Sequence, residues 1–170
     1  LTNTQAREAS TDPTPTSAGT VATVVGFHSN VTLSVAIRRY VVFDTDGGAN
    51  HVFNFGRFND DLHLAGGHTG LNVSMGDNGD LLEVTGIASG TLDGGQGFDT
   101  MRLNDSADIS VAIVVDIEQL GVAANAAIKM SAATWDQFVA ADGSATPGHN
   151  IADAGGVETV TLTTTTVNRW

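Results

Sequence analysis

The chain has 170 residues, 41% of them hydrophobic and 6% aromatic, which suits one cored domain with at most a small appendage. Lysine and arginine total 7 against 19 acids, a net charge of −12 that argues against nucleic acid or anionic membrane as partners and suits divalent cations. Cysteine is absent, so disulfides and thiolate metal sites are closed to it, and no apolar run approaches the ~18 residues of a membrane helix.

Residues 1–19 are rich in Thr, Ser, Pro and Asp and read as a flexible arm or linker. Residues 20–43 hold three β-branched segments, Thr20–Phe27, Val31–Ile37 and Tyr40–Phe43, each predicted as an entry strand.

From 44 to 104 the chain repeats itself. Glycine turns recur roughly every nine to ten residues. Each precedes an alternating apolar pair: Phe53/Phe55, Leu62/Leu64, Val73/Met75, Leu82/Val84 and Met101/Leu103. Alternation of that length predicts short strands. Asp60, Asp80 and Asp99 are 20 and 19 residues apart, so one turn–strand–turn–strand unit makes one coil of a flattened solenoid. Alternate turns then stack on the same edge. The edge with these aspartates is acidic. The other, with Asn50, Thr69, Ser89 and histidines, is nearly uncharged. Carboxylates stacked at strand spacing, roughly 4.8 Å, repel one another unless a cation lies among them. The region has no lysine, and calcium is the expected neutraliser.

Residues 105–170 continue as rungs with a helix. Ile109, Val111, Ile113 and Val115 alternate as a strand. Ile117-Glu118-Gln119-Leu120 aligns with Val157-Glu158-Thr159-Val160, suggesting a longer repeat of forty residues in which each copy adds a rung. The stretch 131–139 is the helix candidate, with Ser131 as its cap and Trp135, Phe138 and Val139 on one face, expected to cover the open end of the core.

One stretch carries chemistry most directly. Gly94-Gly95-Gln96-Gly97-Phe98-Asp99-Thr100-Met101 fits the pattern Gly-Gly-x-Gly-x-Asp-x-apolar, and Gly76–Val84 and Gly56–Leu64 repeat it in weaker form. Glycines let the backbone curl and turn its carbonyls toward a cation, and the aspartate adds charge. On these residues the chain resembles the repeat-in-toxin (hemolysin-type) calcium-binding family, and the segments after 116 look like those of bacterial surface-layer proteins and adhesins. The resemblance implies calcium between successive turns of a right-handed parallel β-roll. Its ligands would come from Gly94, Gly95, Gly97 and Asp99, from Gly76, Asp77, Gly79 and Asp80, and from Asp60 and Asp61. It also implies type I secretion and folding outside the cell, where calcium is abundant.

Other constellations read blandly. His51, His63 and His68 are expected at the surface, because their spacing does not bring them together with carboxylates. Asp60, Asp61, Asp77 and Asp80 could act on a polysaccharide, but only Arg57 and Arg102 offer basic partners here. The expectation is therefore an all-β parallel β-roll with a short capping helix. It would be a non-catalytic, calcium-binding extracellular module of a bacterial surface layer, filament or adhesin, associating with itself or other surface proteins. The alternative is a carbohydrate-binding or carbohydrate-modifying module of a secreted enzyme, with surface polysaccharide as its ligand.

Overall fold

The structure, a computed structural model, describes residues 21–25, 31–32, 39–44, 47–140, 151–153 and 157–163. The expected arm at 1–19 lies outside them. Among the described residues, thirteen strands form one parallel, coiled sheet with one short helix, an all-β solenoid. No helix among the described residues is long and apolar enough to cross a membrane.

One wall of the solenoid runs through β1 (Val21–Val25), β3 (Arg39–Asp44), the first half of β6 (Asp61–Ser74), the first half of β7 (Leu81–Asp93), β8 (Thr100–Asp108), β10 (Gln119–Val122) and β12 (Ile151–Asp153). The second wall stacks β2 (Val31–Thr32) and β5 (Val52–Asn54), with β4 (Gly48–Ala49) beside them, on the far halves of β6 and β7 and then on β9 (Ala112–Val115). Leu62 pairs with Leu82 and Leu82 with Met101, the 20- and 19-residue period expected from the aspartates.

All ten residues of the five apolar pairs are buried, Phe55 the most exposed at 9%. Each such side chain contributes about 1.5–3 kcal/mol by leaving water. The columns of stacked aliphatic and aromatic groups therefore hold the coils together more than strand propensity does. The coils also begin before the expected start at 44. The leading strands are themselves rungs, with β1 on β3 and β2 on β5.

Two segments differ from expectation. In 109–115 the alternation exists, but its phase is shifted. Ile109 is buried, yet Val111 and Ile113 are 72% and 63% exposed while Ala112 and Val114 face inward. The cause is a turn. Asp108 Oδ1 accepts from the backbone N–H and hydroxyl of Ser110, and the Ala112 N–H donates to the Ile109 carbonyl. One residue of slip exchanges the faces. The two copies of the longer repeat each supply a rung, but not to the same stack. β10 is followed by β12, whereas β13 (Thr159–Thr163) lies on β11 (Ala127–Ser131), with Ile128 opposite Val160.

The helix α1 spans Ala132–Ala140. Ser131 Oγ accepts from the Thr134 N–H at 3.0 Å, an N-cap, and Phe138 is fully buried with Trp135 packed beside the core. Gln137 Nε2 donates to the Val114 carbonyl at 2.6 Å, covering part of the outer edge of β9. Replacing Ser131 with Ala should cost about 1 kcal/mol, read as a lower denaturation midpoint at unchanged slope.

Candidate functional site

The acidic edge is built from four loop ends. The strands that follow Asp60, Asp80, Asp99 and Glu118 start in register, so these four residues stack one coil apart. Each carboxylate reaches back to the preceding coil. Asp60 Oδ1 accepts from the Tyr40 N–H at 2.6 Å, Asp80 Oδ1 from the Asp60 N–H at 2.6 Å, Asp99 Oδ1 from the Asp80 N–H at 2.7 Å, and Glu118 Oε2 from the Asp99 N–H at 2.7 Å. Asp60, Asp80 and Asp99 are at most 4% exposed. They are a ladder inside the wall, not a row of surface charges.

One oxygen of each carboxylate thus satisfies a backbone donor. The second oxygens of Asp80 and Asp99, both Oδ2, are buried without a hydrogen-bond partner among the described residues, as is Asp93 Oδ1. Burial pushes Asp80 up from 3.8 to about 8, opposed by the Asp60 N–H and reinforced by the charges of Asp99, Asp60 and Asp61. Burial likewise raises Asp99 to about 6, opposed by the Asp80 N–H, with Glu118, Asp93 and Asp116 adding repulsion. An ionised buried carboxylate with a bare oxygen is costly and calls for a positive partner.

A cradle exists beside Asp99. A Cβ placed on Gly94 would lie 1.9 Å from the Asp116 carbonyl oxygen and 2.9 Å from Asp99 Oδ2. Only a residue without a side chain lets those two oxygens approach the same point beside the Gly94 backbone. Oxygen donors alone, several of them anionic, fit a hard divalent cation of the calcium type and poorly suit a thiolate- or imidazole-seeking metal. The Asp99 carboxylate and the Asp116 carbonyl meet at Gly94. Asp80 and Asp93 bring further bare oxygens, but among the described residues the three carboxylates do not all come within 4.8 Å of one another, so a shared ion would have to draw them together.

The structure separates the residues expected to bind. Asp60, Asp80 and Asp99 come together. Asp77 is exposed, and its backbone pairs with Gln96 of the next coil. Asp61 is half-buried, one residue out of phase with the inward-facing Leu62. The glycine loops also behave differently from expectation. The carbonyls of Gly56 and Gly76 accept the N–H groups of Asp77 and Gln96 from the next coil, at 2.9 and 2.8 Å, so they serve the stack. A Cβ on Gly95 would meet the Gly76 oxygen at 2.0 Å, which makes close coil stacking the visible role of that glycine. Glu118, Asp93 and Asp116 were missed by the repeat pattern. Glu118 carried a signal, its 19-residue spacing from Asp99.

The histidines are not simple surface groups. His51 and His68 are 5% and 1% exposed. His63 is partly buried on the outside of the wall, where it stacks on Phe43 at 4.4 Å and pairs with Glu83, which in turn binds Arg102 at 2.9 Å. No family model, curated protein or solved structure matches this chain.

Proposed function

We propose that this chain is a non-catalytic, calcium-stabilised structural module of an extracellular bacterial surface assembly. One observation carries the reading: a stack of buried carboxylates whose second oxygens, on Asp80 and Asp99, have no partner among the described residues. Calcium would neutralise the stack and tie successive coils, so folding would depend on ion binding and complete itself where calcium is abundant. The ligands would be the carboxylates of Asp80, Asp93 and Asp99 with the Asp116 carbonyl. Asp60 and Glu118 would extend the ladder at either side. The exposed apolar side chains Val111, Ile113 and Ile87 support self-association of the assembled module.

The test is a calcium titration of the chelator-treated chain by far-ultraviolet circular dichroism and melting. At a hundred times its dissociation constant, calcium should add about 2.7 kcal/mol, or roughly 5–10 °C in Tm, with magnesium much less effective. A melting point indifferent to calcium would reject the reading. Sedimentation at high concentration with calcium tests the assembly, and a persistent monomer would reject that part.

A second reading, a carbohydrate-binding or carbohydrate-modifying module, has its own support. Phe98, 51% exposed, stands beside Asn59, Asp61, Arg102 and Gln119 around an open depression on the acidic edge. Such a platform of ring and polar groups suits a sugar face. Binding to acidic polysaccharide, or its turnover, by the isolated chain would favour it.

A further inference from the structure

The opposite edge of the solenoid holds a second cluster that the acidic ladder does not involve. Asp44 ends β3, His51 lies between β4 and β5, and His68 lies at the bend of β6, one coil on. None is more than 5% exposed. One ligand atom from each lies within 4.8 Å of the other two. Asp44 Oδ2 is 2.6 Å from His51 Nδ1 and 3.8 Å from His68 Nδ1.

The hydrogen bonds fix where lone pairs must be. His68 Nε2 is 3.0 Å from the Ala65 carbonyl, which can only accept, so Nε2 carries the proton. In the neutral ring that leaves Nδ1 as a bare lone pair. Among the described residues it has no hydrogen-bond partner, and neither has the buried Asp44 Oδ1. Nδ1 itself lies 3.8 Å from Asp44 Oδ2, beyond hydrogen-bonding range, so a proton placed there would not be bonded to that oxygen. Two buried acceptors, His68 Nδ1 and Asp44 Oδ1, are therefore left without a donor among the described residues. The Ala65 carbonyl orients the His68 ring as an outer-sphere partner orients a metal-ligating imidazole. The backbone is arranged for this too: at Gly48, with φ of +156°, a Cβ would come within 2.4 Å of His51 Nε2.

We propose that Asp44, His51 and His68 form a buried transition-metal site for a zinc-class divalent ion. Two imidazole nitrogens and one carboxylate oxygen, with a fourth position left to water, are a zinc donor set and a poor calcium one. The ion would take the place of the proton between His51 Nδ1 and Asp44 Oδ2, leaving His51 protonated on Nε2. A modest rearrangement suffices, since ligand atoms of a tetrahedral zinc site lie about 3.3 Å apart. Such an ion would join β3, the β4–β5 loop and the next coil at the end of the solenoid away from the helix.

The test uses the full chain, stripped by chelator and re-equilibrated in millimolar calcium so that the acidic edge does not compete. Zinc is titrated by calorimetry and cobalt by visible absorption. The expected result is one equivalent of either ion, intense tetrahedral cobalt bands, and nitrogen NMR shifts at Nδ1 of His51 and His68 but not of His63. His68→Gln should weaken zinc at least roughly 10–100-fold, and His63→Gln should leave it unchanged. Weak octahedral cobalt bands, no stoichiometric binding, or unshifted His51 and His68 resonances would overturn the proposal. The wild-type spectra decide it even if the His68 variant fails to fold.

Discussion

Stripped of divalent ions, the protein is expected to lose thermal stability as the pH rises from about 4 to about 8. An unfolded aspartate titrates near 4. In the folded chain burial raises Asp80 to about 8 and Asp99 to about 6. Between those values the folded state keeps protons that the unfolded state has released, so raising the pH favours unfolding. The Asp99 share of the loss ends by about pH 6 and the Asp80 share continues to about pH 8. The fall should be on the order of 10 °C or more in Tm, because each pH unit between the unfolded and folded values is worth about 1.4 kcal/mol and each kcal/mol about 2–4 °C. Saturating calcium should flatten the profile above pH 5, because the ion favours the ionised carboxylates, and move the loss to more acid pH. Melts at five pH values, with chelator and with calcium, make the comparison. A chelator profile that rises from pH 5 to 8 would mean that the ladder is ionised and already satisfied without an ion.

The coil itself was legible in the sequence because two signals coincide. Period-2 apolar pairs such as Leu62/Leu64 and Leu82/Val84 set the inward face, and the aspartates 19 and 20 residues apart set the coil length. The helix was legible for a similar reason, since its cap Ser131 and its buried Phe138 are both local features. What escaped depends on three-dimensional detail. A single turn held by Asp108 and Ser110 reverses the phase of the strand after it, and no pattern of apolar residues announces that. His51 and His68 are 17 residues apart and meet Asp44 only because a coil closes between them. The ladder bonds also escaped, because a carboxylate that caps a backbone N–H one coil away has the same spacing as one that binds an ion. The two roles share one side chain, one oxygen each.

That division of labour can be separated by Asp80→Asn. The amide oxygen still accepts the Asp60 N–H, which Asp80 Oδ1 now holds at 2.6 Å. The desolvated charge disappears, and with it the repulsion from Asp99, Asp60 and Asp61. In chelator at pH 8 the variant should therefore melt several degrees above the parent. At pH 5, where the buried Asp80 is already protonated, the two should nearly coincide. In calcium the order should reverse. An anionic ligand is lost, and each tenfold weakening of calcium removes about 1.4 kcal/mol of the stabilisation it gives. Asp80→Ala is the informative contrast. It leaves the Asp60 N–H buried without an acceptor, at about 1–3 kcal/mol, and so should lower stability in calcium more than the amide does. If Asp80→Asn destabilised the chain equally with and without calcium, Asp80 would be a backbone cap alone, and the ion, if bound, would have to be held by Asp93, Asp99 and the Asp116 carbonyl around Gly94.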